Sequence, residues 1–219
     1  MKASFSTNKF FTPDEIKFFA QFKKPSDIQI FLNNIKYNPE YKTSSPGRII
    51  HTKEANCFEG ALFAAAALRM LGYPPLIVDF MAHNDDDHVI AIFRHNNLFG
   101  AVAKSNTTTL RFREPVYHSL RELVLSYFEF YINTIGEKSL RSYSNPVNLS
   151  RFDKFNWMNT EADLEFIGDY LFTIKHHPII DKKSLRNLSF ADNDFVNLCF
   201  AGSIPEGLFK PKPKKKKSQ

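Results

Sequence analysis

Glu54-Ala55-Asn56-Cys57-Phe58-Glu59-Gly60 runs into Ala61-Leu62-Phe63-Ala64-Ala65-Ala66-Ala67-Leu68 and then Arg69-Met70-Leu71-Gly72-Tyr73-Pro74-Pro75. The stretch predicts a helix over residues 54–71. Its middle is apolar on every side, so the helix belongs at the centre of a fold and not on its surface. Gly72 is a natural stop, and Pro74-Pro75 forbids continuation. Cys57 lies at the start, where unpaired backbone N–H groups and the positive end of the helix dipole collect. Those groups favour a thiolate and can hold an oxyanion. The bland alternative is a small, inert buried Cys.

Three strands follow. Leu76–Met81 and His88–Phe93 are β-rich, and Leu98–Ala103 is joined to the second by a short Arg94-His95-Asn96-Asn97 turn, a hairpin signal. The link between the first two strands is polar, Ala82-His83-Asn84-Asp85-Asp86-Asp87. On the second strand His88, Ile90 and Ile92 share one face, and Val89, Ala91 and Phe93 the other. A His at the start of such a strand can reach across a helix N-terminus and serve as base to Cys57. Its bland alternative is a His bonded to the neighbouring acids.

Upstream, Thr12-Pro13-Asp14-Glu15 opens a helix, and Ser26 with Gln29 opens a second that ends at Asn38-Pro39. Residues 39–52 read as loop. Downstream, Ser119 with Glu122 opens a helix closed by Gly136, and Thr160 with Asp163 opens another that ends before Pro178. His176-His177 reads as the C-terminus of that helix, and Cys199 as core. The fold class expected is α+β, one domain over residues 1–209.

A Cys opening an Ala-rich helix, the Gly-Tyr-Pro-Pro exit, an aliphatic strand and Asp-His-Val opening the next strand resemble the transglutaminase-like superfamily, in particular its small stand-alone bacterial members. The likeness covers roughly residues 50–106. It implies a papain-like core, with the Cys57 helix packed on an antiparallel sheet. It also implies Cys57 as nucleophile, His88 as general base, and acyl transfer or hydrolysis at protein or peptide amides. The family usually supplies an Asp from the strand after the His. Leu98–Asn106 contains none. Asn106 takes the orienting role in this reading, as Asn does in papain-like proteases, with Ser105 and Asp79 as alternatives. Lys104 could bind an acidic substrate group. Without an orienting group the same fold would be a catalytically silent module that binds a peptide or partner.

Composition bounds the rest. Phe occurs 23 times and 43% of residues are hydrophobic, which predicts a dense aromatic core. No stretch approaches a membrane span, and residues 1–6 do not read as a secretory signal. Two cysteines suit a reduced, cytoplasmic protein better than a disulfide. No cofactor or metal is called for: His83, Asp85, Asp86, Asp87 and His88 match no ligand spacing, and no Gly-rich phosphate loop occurs. The net charge is +6, and six lysines fall in residues 210–219. That tail is expected to be disordered, a solubilising end that touches nucleic acid weakly if at all. Substrate identity, acyl acceptor and oligomeric state are not written in the sequence.

Overall fold

The computed structural model describes residues 10–40 and 42–212. Expectations for residues 1–6 and for most of the lysine tail lie outside them. In chain order the elements are α1 (Pro13–Phe19), α2 (Pro25–Asn34), β1 (Lys36–Tyr37), α3 (Pro46–Thr52), β2 (Glu54–Ala55), α4 (Cys57–Met70), β3 (Leu76–Ala82), β4 (His88–His95), β5 (Leu98–Val102) and β6 (Arg113–Tyr117). Then come α5 (Leu120–Phe128), β7 (Leu140–Ser144), β8 (Val147–Asn148), α6 (Glu165–Thr173), β9 (His176–Pro178) and α7 (Asn193–Cys199). The α+β class is as expected.

Seven strands form one antiparallel sheet in the order β6-β5-β4-β3-β7-β9, with β8 pairing on β3. β1 and β2 form a separate parallel ribbon. The β4–β5 hairpin turns on two residues, Asn96 and Asn97, both with positive φ, 48° and 64°. Such a two-residue turn matches strand twist, and Asn tolerates the left-handed conformation better than most residues.

The helix α4 is buried from Glu59 to Arg69. It packs on β3 and β4 below and against α2 and α3 above, which explains an apolar sequence without a polar face. Its C-terminus closes in a Schellman arrangement. The Tyr73 N–H donates to Leu68 O and the Gly72 N–H to Arg69 O, both at 3.0 Å, with Gly72 at φ 89°. Arg69, in the last turn, makes a two-pronged pair with Asp153 at 2.7 and 2.8 Å. Around α4 lies the aromatic core that the Phe count predicts: Phe31 stacks on Phe63 at 4.8 Å, and Phe19 and Phe22 close on the same ring. Each buried ring contributes on the order of 2–3 kcal/mol.

The sheet divides two cores. Val89, Ala91 and Phe93 face α4. Ile90, Ile92, Val78 and Phe80 face the other way, onto Leu123, Val124 and Tyr127 of α5 and onto Tyr131. No helix of the described residues is long and apolar enough to cross a membrane.

Several expectations need correction. Residues 46–52, read as loop, are helix α3. Ser45 caps it by accepting from the Arg48 N–H, and Pro46 sits at its first turn. The helix expected to close at Gly136 ends at Phe128. His176 and His177 end no helix. They lie on the edge strand β9, paired with Ser144 and Tyr143.

Candidate functional site

The site forms where α4 begins above the start of β4. Asn56 caps α4: its side chain accepts from the Glu59 N–H at 2.9 Å, and the Glu59 carboxylate accepts from the Asn56 N–H at 2.8 Å. Glu59 is fully buried. Its carboxylate also accepts from the Ser44 N–H at 2.8 Å and from the Asn38 amide at 3.1 Å. One carboxylate thus ties the loop after β1 to the helix that carries Cys57. Glu59→Gln exchanges an acceptor for a donor facing those N–H groups. It is expected to cost about 1–3 kcal/mol, read as a lower urea midpoint.

Cys57 is the first residue of α4 and is partly exposed. Its thiol lies 4.0 Å from the Asp87 main-chain oxygen. Burial pushes the thiol pKa up to about 12 and the charge of Asp86 adds to this, while the backbone N–H groups of Val89 and Phe58 pull it down. Two N–H groups able to stabilise a thiolate can equally stabilise an oxyanion. Tyr37, at the end of β1, lies against Cys57. Burial raises its hydroxyl pKa far above the ordinary value, and Cys57 adds to the shift.

His88 pairs with Phe80 across β3 and β4 and lies on the α5 face, near Phe80 and Tyr131. Cys57 sits over the backbone on either side of it. No hydrogen bond joins Cys57 to His88 among the described residues, but both line one small cavity of about 50 Å³ with Tyr37, Asn106, Leu110 and Tyr131. The His88 Nε2 lies 3.0 Å from Leu110 O. A carbonyl only accepts, so Nε2 carries the hydrogen and the neutral ring keeps its lone pair on Nδ1. Burial first, then the Arg113 charge, lowers the His88 pKa to about 4, opposed by the Leu110 bond.

The orienting group is therefore not the one expected. The Asn106 amide is engaged elsewhere: its Nδ2 donates to Ile204 O and its Oδ1 accepts from the Ile204 N–H, both at 2.9 Å. Ser105 accepts from the Thr107 N–H at 3.0 Å. Asp79 lies on the α4 face, 2.9 Å from His176 Nε2, while the other ring nitrogen of His176 lies 3.0 Å from Ile174 O. Asp87 accepts from the Ala82 N–H at 2.7 Å and so closes the β3–β4 connection. The Leu110 carbonyl does for the ring what a carboxylate or amide was expected to do. A main-chain acceptor leaves no trace in residue type, so sequence could not name it.

Lys104 does not face a substrate. It is 3% exposed and donates to Leu32 O and Ile35 O at 2.8 and 2.6 Å, closing the C-terminal end of α2. Burial lowers its pKa to about 8. Among the described residues, no group of three or more His, Cys, Asp or Glu is arranged to hold a metal ion.

A second, larger cavity of about 500 Å³ opens on the outer side of Cys57, between Tyr37, Phe58, Phe172 and the segment Glu206–Lys210. Cys57 belongs to the walls of both cavities. The sequence matches no protein-family model and no curated protein sequence.

Proposed function

We propose that the chain is a transglutaminase-like thiol enzyme with a papain-like core, acting on protein or peptide amides by acyl transfer or hydrolysis. The observation that carries this reading is the cavity shared by a thiol at a helix N-terminus and a His whose tautomer is held by Leu110. In this reading the Cys57 proton passes to His88 Nδ1 as sulfur bonds the amide carbonyl carbon. The cavity both residues line is large enough for one bridging water. The oxyanion develops beside the N–H groups of Phe58 and Val89. The C–N bond then breaks, and the imidazolium returns its proton to the leaving amine. Water or a second amine resolves the thioester. Both cysteines are free, which fits a reducing, cytoplasmic setting.

Incubation with peptide amides followed by intact-mass measurement tests this. The expected result is an acyl adduct on Cys57 that Cys57→Ala lacks. No adduct with any amide, at equal folding, would sink the reading. The pH dependence gives a separate check. The base acts unprotonated, and burial lowers His88 to about 4. Activity should therefore be full above that value and fall only as pH drops through it. An acid limb near the ordinary His value, about 6.5, would point to a different base.

The second reading, a silent peptide-binding module, is favoured by the protonation states. Burial opposes both a thiolate at Cys57 and an imidazolium at His88. It predicts binding without an adduct.

A further inference from the structure

Residues 203–212 run across the mouth of the site, and their apolar side chains belong to neither core. Leu208 and Phe209 instead line both cavities that meet at Cys57. Side-chain amides hold the segment at two points, each by a donor and an acceptor. Asn106 grips Ile204, as described. Asn84 grips Lys212: its Oδ1 accepts from the Lys212 N–H at 2.8 Å and its Nδ2 donates to Lys212 O at 3.1 Å. The Ser203 hydroxyl adds a bond to Asn106 O at 3.0 Å. Between the clamps, Gly207 lies so close to Tyr37 that a Cβ there would stand 2.7 Å from its ring. The chain between the clamps makes a 3-10 turn over Pro205–Gly207 and then sets the adjacent Leu208 and Phe209 into the cavities. The segment is thus held as a bound peptide is, by main-chain bonds at fixed points and by side chains in pockets.

Charge fits as well. The outer cavity is walled by Glu40, Asp86, Asp87, Glu165 and Asp169, and Lys210 of the segment lies among them. An acidic groove mouth welcomes a basic stretch, and lysines continue in sequence beyond Lys212.

We infer that residues 203–212 are a built-in pseudo-ligand, and that the site's true ligand is a peptide carrying a bulky apolar pair followed by lysines. The inference names a substrate class and so rests on the Cys57 cleft being the functional site. A tethered occupant competes at an effective concentration of roughly mM. A peptide in trans must therefore displace it, and binds more readily once it is released.

The test uses the full chain and iodoacetamide labelling, read separately at Cys57 and Cys199 by mass spectrometry. Leu208→Asp with Phe209→Asp should raise Cys57 labelling about tenfold or more. Cys199, fully buried in α7, should remain slow and so reports that the fold is kept. A synthetic peptide of residues 203–212 should return the Cys57 rate of that variant towards wild type, less effectively at high salt. The same peptide with Ala at both apolar positions should not. Should the double variant unfold, Leu208→Ala with Phe209→Ala, which leaves every residue of the groove in place, takes its place with a smaller acceleration and the same peptide response. An unchanged Cys57 rate, or equal protection by both peptides, overturns the inference. Protection without an acyl adduct would sink the catalytic reading alone; adduct formation without protection would sink this one alone.

Discussion

His88→Ala is expected to slow acylation of Cys57 by a factor of about 10²–10⁴, the usual contribution of a positioned general base. The size follows from the starting state. With burial holding the thiol near 12 and the imidazole near 4, the resting pair is neutral. Very little thiolate exists at neutral pH, so the reaction depends on moving the proton during attack and not on a standing thiolate. A ring with Nε2–H fixed on Leu110 O has one vacancy, Nδ1, and removing the ring removes the only acceptor this mechanism uses. Asn106→Ala provides the contrast. A papain-like orienting Asn would lose rate on substitution. Here Asn106 holds Ile204 and not His88, so the variant should change the rate far less than His88→Ala does. Single-turnover adduct formation followed by mass checks both. Equal rates for His88→Ala and wild type would remove His88 from the mechanism.

Gly60→Ala is expected to destabilise the chain by about 3 kcal/mol or more, although Ala is the better helix former by about 1 kcal/mol. Gly60 is one turn into α4, where the chain leaving β5 crosses the helix. A Cβ on Gly60 would stand 2.1 Å from the Lys104 Cβ and 3.3 Å from its Cα. These atoms cannot swing away as a side-chain tip could. Pushing them back would also pull the Lys104 ammonium from the carbonyls of Leu32 and Ile35. For a chain of this length the loss corresponds to a fall in melting temperature of roughly 10 °C. Calorimetry reads it directly, and a rise in melting temperature would mean that helix propensity outweighs the contact.

Sequence reading went furthest where local rules and burial agree. The helix expected over residues 54–71 is Cys57–Met70, its expected first turn being β2 and the Asn56 cap. Its middle, its Gly72 stop and the β3–β5 strands were legible because apolar pattern and turn residues all point one way. It failed where an element is short or its reason is remote. Ser45-Pro46 is a sound helix start, but a seven-residue helix among Pro, Ser, Thr and Gly gives no periodicity to read. The strand Leu140–Ser144 is largely polar, because Ser144 offers its hydroxyl to the Asp79 N–H across the sheet. At the site, the structure brings Cys57 and His88, singled out by their positions, to the walls of one cavity. Asn106 was misread because its partner, Ile204, lies 98 residues away. Tyr37 was missed because its place beside Cys57 follows from the β1–β2 ribbon, which two residues on each strand do not announce.

The covering segment has a consequence in time. The walls of the outer cavity, from Tyr37 to Phe172, leave the ribosome before residues 203–212. At synthesis rates of roughly 5–20 residues per second, Ser203 is added about 2–6 s after Phe172. Helix packing and hairpin closure take far less than that. On the inferred role of residues 203–212, each newly made copy passes through an interval in which the pocket walls are made and their cover is not. If the segment is the cover inferred here, Cys57 is most open to alkylation during that interval.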